Sequence, residues 1–523
     1  MADVHRYPSA PPARGCFTDF FDEHLRARPD APYVTGEPAV TGERMTLSFR
    51  RLDDCSRRLA YWLKSELGAR ETVGLIPRNE LTSVVTIFAA VRAGYRVLFL
   101  SPADPEARLR EQAEALGVTA VLRSAAVPED AYAGAIPIPE PYGLPDAGSF
   151  AESRANADGD VFYFGTSGST AASKLVAQSH RNVVSNAEAV RRHHGLAAGD
   201  RLLGCLPVHH VNGVHFSLMA TFMAGAHVIL ADRFDPFAYP RLIEEYRPRI
   251  ASVVPSILET LTATWRRPSL PAGFEYFVSA AAPLPTATAR AVRERLGARV
   301  LQGYGLTETT NFSTTMPPGL PEEDVARFVT GADVPSIGVA VHGNEVAVLT
   351  RDGGRAAPGE VGEICMRGHN VMNGYAGNPE ATREAFEGGW FHSQDLGFEL
   401  RDDSGRAFFF VTGRLKNIAK VGGESVSLEE MEKVLRSVPY VRDAACVATP
   451  HRFLGEEIVA AVVHTGDAPE TVNVRPHLLA AFAQSVVPNR VVRLDAIPRT
   501  ATGKIRRPEL ARLLAASQPA PRE

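Results

Sequence analysis

Between residues 52 and 100 the apolar positions change period three times. Leu52, Cys55, Leu59, Trp62 and Leu63 recur at helical spacing, and Thr72–Pro77 (TVGLIP) is a strand-like run. Leu81–Ala93 returns to helical spacing, and Tyr95–Leu100 (YRVLFL) is strand-like again. This alternation selects an α/β architecture with parallel sheet. It continues through the strand-like His227–Leu230, the helix-like Thr286–Leu296 and the strand-like Arg299–Leu301.

After about Val334 the texture changes. Glu345–Leu349 and Val361–Met366 are short strands divided by the turn RDGG and by Pro358-Gly359, as in antiparallel sheet. It changes again near Thr412–Lys416. Ser427 and Glu430 have capping-box spacing ahead of Leu428, Met431, Val434, Leu435 and Val438 on one helical face. A chain of 523 residues exceeds one ordinary core. We therefore expect a large N-terminal α/β domain over residues 1–413 and a small α+β domain over residues 414–523.

Composition narrows the class. A net charge of −4 argues against a nucleic-acid partner, which needs a basic face. The five cysteines (Cys16, Cys55, Cys205, Cys365, Cys446) are odd in number and scattered, which speaks against a disulfide framework or zinc site and for a reducing compartment. The opening MADVHRYPSAPPARG lacks the apolar core of a signal peptide, and no apolar run is long enough to span a bilayer. A cytoplasmic protein without membrane insertion is expected.

Four polar stretches invite chemistry. GTSGSTAASK, residues 165–174, follows an apolar run, Val161–Phe164, and precedes a helix-like segment from Ser179. Gly165 and Gly168 permit close backbone approach, Thr166, Ser167, Ser169 and Thr170 supply hydroxyls, and Lys174 supplies a charge suited to phosphate. It is not a Walker loop, because Ser173 precedes the lysine and Leu175 follows it. GYGLTE, residues 303–308, offers the Tyr304 ring for stacking, the Thr307 hydroxyl for a phosphate and the Glu308 carboxylate for Mg²⁺. Asp395 (FHSQDLG) and Arg414 (VTGRLKN) suit a pair of ribose hydroxyls, and Lys504 (PRTATGKIRR) suits a phosphate beside an attacking carboxylate. Taken alone, GTSGSTAASK reads equally as a solvated loop, and the other three read more readily as an exposed strand-to-helix turn, a surface ion pair and a basic surface loop.

The ordered set resembles the superfamily of adenylate-forming (AMP-binding) enzymes, which includes acyl- and aryl-CoA synthetases, adenylation domains of nonribosomal peptide synthesis and firefly luciferase. The likeness runs from about residue 15 to about residue 515. It also takes in PVHHVNG (207–213), SAAAPLP (279–285), GEICMRGHNVMNG (362–374) and GGE (422–424). The resemblance implies a multi-sheet N-terminal domain and a mobile C-terminal domain. It implies that residues Thr166–Thr170 and Lys174 hold the phosphates of ATP, and that Tyr304 and Ala281-Ala282-Pro283 contact adenine. Glu308, with Thr307, is implied for Mg²⁺ and catalysis, and Asp395 and Arg414 for ribose. His210 and Gly303 fall at the acyl pocket, Lys416 at the hinge, Gly422 and Gly423 at the pantetheine path, and Lys504 at the adenylation step. ATP, Mg²⁺ and CoA (or a phosphopantetheine arm) are the implied cofactors.

Three departures mark this chain. Ala171, Ser173 and Leu175 replace the family's Gly, Pro and Gly in the phosphate loop. Gln394 stands where the ribose motif has glycine, and Ala280-Ala281 where the adenine loop often does. The acyl segment lacks the aspartate that pairs with an α-ammonium, so a carboxylic acid without an α-amine is expected, with CoA as acceptor. A carrier-protein phosphopantetheine or an amine are the alternative acceptors.

Overall fold

The computed structural model describes residues 12–39, 43–148, 150–153, 155–166, 174–421, 424–451, 454–469, 472–482, 484–500 and 503–517. The chain forms two compact units. The first is Met1–Val346 with Cys365–His392 and Asp402–Phe408; the second is Ala347–Ile364 and Ser393–Arg401 with Phe409–Glu523.

The alternating periods of the first unit build two large sheets. One has nine strands, in the order Val339–Ala340, Thr314–Thr315, Arg299–Tyr304, Tyr276–Ser279, Ile250–Val253, Arg201–Gly204, His227–Leu230, Pro32–Gly36 and Met45–Ser48. The six from Arg299–Tyr304 to Pro32–Gly36 pair in parallel. The central strands are buried on both faces, which explains why their sequences are apolar runs rather than alternating ones. Parallel pairing also sends the segments after Arg201–Gly204, Ile250–Val253, Tyr276–Ser279 and Arg299–Tyr304 out of one sheet edge, the edge where α/β proteins bind ligands.

The second large sheet runs Gly374–Tyr375, Leu175–Ser179, Asp160–Gly165, Arg96–Phe99, Thr72–Ile76, Val121–Arg123 and Ile136–Pro137. The sequence reads as an apolar run, Val161–Phe164, then a polar loop and a helix. The structure inserts a strand, Leu175–Ser179, which runs antiparallel to Asp160–Gly165. Thr166 N–H donates to the Lys174 carbonyl at 2.9 Å, so residues 166 and 174 close a hairpin. LVAQS is fully buried and too short to show a period, which hid it. The helix His180–His193 follows at once, with a reciprocal cap. Ser179 Oγ accepts the Asn182 N–H, and Asn182 Oδ1 accepts the Ser179 N–H.

The helix expected at Thr286–Leu296 forms over those residues. A four-stranded sheet takes Asn344–Leu349, Gly362–Gly368, Phe391–Arg401 and Ala407–Arg414 in that order.

In the second unit a five-stranded sheet carries Glu424–Ser427, Ile418–Val421, Gly455–His464 and Val441–His451, with Arg490–Arg493 beside Gly455–His464. Past an irregularity between Val441 and Asp443, strand Val441–His451 alternates faces from Ala444 to Val447. Ala444 and Cys446 pack with Met431, Leu435 and Leu478 on one face. Ala445 and Val447 pack with Leu510 and Leu514 on the other. Ser427 caps helix Leu428–Arg436 by accepting the Glu430 N–H, as its spacing foretold. The chain is all α/β in class, with a larger multi-sheet N-terminal part and a smaller C-terminal part. No helix among the described residues is long and apolar enough to cross a membrane.

One buried charge group ties the second unit together. Glu432, only 2% exposed, accepts from the Cys446 N–H at 2.8 Å and from Arg507 at 2.5 Å. Removing the Arg507 guanidinium leaves this buried carboxylate only the Cys446 N–H and a long contact to Arg436 at 4.0 Å. Arg507→Ala should therefore cost roughly 3 kcal/mol or more, read as a lower urea midpoint for the second unit; a loss within experimental error would contradict this reading.

Candidate active site

The first unit's parallel edge gathers several expected residues. After Tyr276–Ser279 the chain turns through Ala280–Pro283, where Ala281 takes φ +70°. After Arg299–Tyr304 the backbone closes tightly. A Cβ on Gly303 would lie 2.8 Å from the Phe312 ring, and one on Gly305 would lie 1.6 Å from the Asn311 carbonyl oxygen. These two glycines are there because nothing larger fits. Tyr304 and Ala281–Pro283 thus leave neighbouring parallel strands at the same end, with Ser279 opposite Gln302.

The segment after Arg201–Gly204 is fixed by Asn79. Its Nδ2 donates to the Leu206 and Ala231 carbonyls, and its Oδ1 accepts the Val208 N–H. A Cβ on Gly213 would come within 2.2 Å of the Pro207 oxygen, so the PVHHVNG turn also demands glycine. His209 and His210 pack with ring centroids 4.4 Å apart. Burial, with His210 and Arg78 nearby, holds His209 well below the ordinary imidazole range. No carboxylate stands in this segment; Asn212 accepts from Ser252 Oγ at 3.0 Å.

Lys174, Glu308 and Tyr375 meet on this unit. The Lys174 ammonium lies over the Tyr375 ring, 4.6 Å from its centroid. The Tyr375 hydroxyl donates to Glu308 Oε1 at 3.0 Å. Strand pairing sets this up. Tyr375 is opposite Val176, two residues beyond Lys174 on the neighbouring strand. Glu308 is held from behind, because its carbonyl accepts the Met372 N–H at 2.7 Å. Thr307 is held too, its carbonyl accepting from Gln178 Nε2 at 2.8 Å. Gln178 Oε1 faces His215 Nε2 at 2.8 Å, so His215 donates from Nε2. Full burial drives His215 down to about 3 and keeps it neutral at working pH. Sequence reasoning missed Tyr375, Gln178 and His215. Tyr375 alone left a signal, since it directly follows the GEICMRGHNVMNG stretch.

In the second unit Asp395 and Arg414 form an ion pair, with Arg414 Nε 2.6 Å from Asp395 Oδ1. The carboxylate is buried while the guanidinium is half-exposed. Gln394 holds φ +62°, the left-handed region, and its N–H donates to Glu363 Oε1 at 2.8 Å. Asp395 N–H donates to Ser393 Oγ, which itself donates to the Ile364 carbonyl. Lys504 is exposed and backed by a built turn. Its N–H donates to Thr500 Oγ1, and Arg499 reaches both the Gly503 carbonyl and the Asp443 carboxylate. Lys416 falls in the single helical turn Leu415–Asn417. Ser167, Gly168, Ser169 and Thr170 lie outside the described residues, as do Gly422 and Gly423.

A family model described as AMP-binding enzyme matches residues 21–376, and one described as AMP-binding enzyme C-terminal domain matches residues 430–504. The chain belongs to the AMP-binding enzyme family. Sulfoacetate–CoA ligase of Cupriavidus necator is 31% identical to it over 502 residues, 92% of this chain and 94% of the relative. 4-Coumarate–CoA ligase 5 of Oryza sativa subsp. japonica is 30% identical over 530 residues, 96% of this chain and 95% of the relative. ATP-bound MatB from Rhodopseudomonas palustris shares the fold with a TM-score of 0.79 at 26% identity, over 95% of this chain and 98% of that one. This AMP-binding enzyme is of the adenylate-forming CoA ligase type.

Two of the departures from the AMP-binding pattern now have a physical cost. Ala281 and Gln394 both occupy left-handed backbone that glycine adopts freely. Gln394 is exposed, so its replacement disturbs no packing. Gln394→Gly should stabilise the second unit by about 1 kcal/mol, seen as a higher urea midpoint at unchanged slope. A lower midpoint would show that the left-handed conformation carries no strain there.

Proposed function

We propose that the enzyme activates a carboxylic acid lacking an α-amine as its acyl-adenylate, with release of pyrophosphate, and passes the acyl group to the thiol of CoA. The observation that carries this reading is the Lys174–Tyr375–Glu308 cluster on the first unit. It sets a cation for phosphate and a carboxylate for a metal one aromatic ring apart.

The residues fit the groups they would hold. Glu308 offers hard oxygen donors, which suit Mg²⁺. Bound there, Mg²⁺ would neutralise phosphate charge. Lys174 ends the hairpin that would cradle the phosphates. Tyr304 and the turn at Ala281–Pro283 are assigned to adenine, and Asp395 with Arg414 to the ribose hydroxyls. A substrate carboxylate oxygen attacks the α-phosphorus of ATP as the bond to the β-phosphate oxygen breaks. Lys504 lowers the barrier by neutralising charge on the attacking and transferring groups. The CoA sulfur then attacks the acyl carbonyl, loses its proton, and expels AMP. Hinging at Lys416 would withdraw Lys504 between the two steps, and Gly422 and Gly423 would border the pantetheine path.

Substrate class rests on the pocket segment. PVHHVNG presents neutral His209, with His210 and Asn212, and no anion to balance an ammonium. The relatives named above act on sulfoacetate and 4-coumarate, acids without an α-amine.

The test is pyrophosphate release from ATP and Mg²⁺ with a panel of acids, followed by product analysis with CoA, a phosphopantetheinyl carrier or an amine. An acid-dependent signal and an acyl-CoA product are expected; silence across a broad panel would sink the proposal. Lys504→Ala should slow adenylation by roughly 10²-fold while thioester formation from supplied acyl-AMP stays near wild type. Equal losses in both steps would contradict the role given to Lys504.

A further inference from the structure

Lys174 and Glu308 carry opposite charges and would serve the same triphosphate. Joined directly, they would neutralise each other. Among the described residues no ion pair joins them; the Tyr375 side chain stands between, its ring under the ammonium and its hydroxyl on the carboxylate. The phenol sits rigidly. Its backbone pairs with Val176, its N–H donates to Thr382 Oγ1 at 2.9 Å, and its carbonyl accepts the Asn378 N–H.

We infer that Tyr375 is a positioning residue for Mg·ATP, an aromatic spacer that keeps Lys174 and Glu308 apart and aims each at the nucleotide. This rests on the function proposed above. The ring gives the ammonium a weak, polarisable seat that a phosphate can outcompete, where a carboxylate would hold it. The hydroxyl engages Oε1 and leaves Oε2 of Glu308 for a cation. The spacer therefore has two separable halves.

Calorimetric titration of the full-length protein with Mg·ATP, in the absence of any acid, separates them. Tyr375→Phe keeps the ring and loses the hydrogen bond to Glu308. It should weaken Mg·ATP roughly fivefold and leave metal-free ATP, measured in EDTA, unchanged. Tyr375→Leu loses both halves and lets Lys174 reach Glu308. It should weaken both forms of ATP, by roughly tenfold or more for Mg·ATP, with the deficit shrinking as salt screens the new pair. Wild-type affinity for Mg·ATP in Tyr375→Phe would overturn the inference, as would equal losses with and without metal. If Tyr375→Leu fails to fold, the Tyr375→Phe pair of titrations decides alone. Failure of the wild-type protein to bind Mg·ATP would instead remove the functional reading on which the inference rests.

Discussion

Two residues of edge strand, Gly374–Tyr375, pair antiparallel with Leu175–Ser179, and the candidate site of the first unit depends on that register. Side chains alternate faces along a strand, so a slip of one residue would turn the Tyr375 ring away from Lys174. The same stretch is fastened at several other points. Asn182 Nδ2 donates to the His369 and Val371 carbonyls, and the Ala376 N–H donates to the Leu175 carbonyl. Hydrogen bonds of this kind are individually worth about 1 kcal/mol. Together they set one arrangement, and the charged groups are delivered by backbone rather than by their own flexible stems.

The second constraint is crowding at the strand ends. Gly213, Gly303 and Gly305 sit where a Cβ would strike backbone or a phenyl ring. They let the chain fold back at the edge where the parallel strands end, and the half-buried Tyr304, Thr307 and Glu308 follow from that. Behind this edge a buried polar line, His215 to Gln178 to the Thr307 carbonyl, supports the turn that carries Glu308. A buried amide with both ends satisfied specifies position at little cost.

Much of this was legible in the sequence, for identifiable reasons. Long amphipathic segments such as Thr286–Leu296 declare themselves, because their period repeats three times. The Ser427 cap declares itself by spacing and composition. Lys174, Glu308, Asp395, Arg414 and Lys504 stand out in the sequence as charged residues in polar loops, and the structure brings Lys174 near Glu308 and pairs Asp395 with Arg414. Strand Leu175–Ser179 leaves no sequence signal, because five buried residues contain no complete pattern. The roles of Tyr375 and His215 are hidden in the sequence for a different reason. Their roles come from pairing between segments distant in sequence, and periodicity reports faces, not partners. Gln394 and Ala281 fall between these cases. Their identities are unusual for the motifs they stand in, but the left-handed backbone that makes them costly is visible only in the fold.

The chemistry assigned to these groups has one direct signature. If the acid's own oxygen attacks the α-phosphorus, that oxygen stays with the nucleotide when the thiol takes the acyl group. Acid labelled with ¹⁸O in its carboxylate, turned over with ATP, Mg²⁺ and CoA, should yield AMP carrying one ¹⁸O in its phosphate, by mass spectrometry. Unlabelled AMP, or label in inorganic phosphate with ADP as the nucleotide product, would contradict adenylate formation at this site.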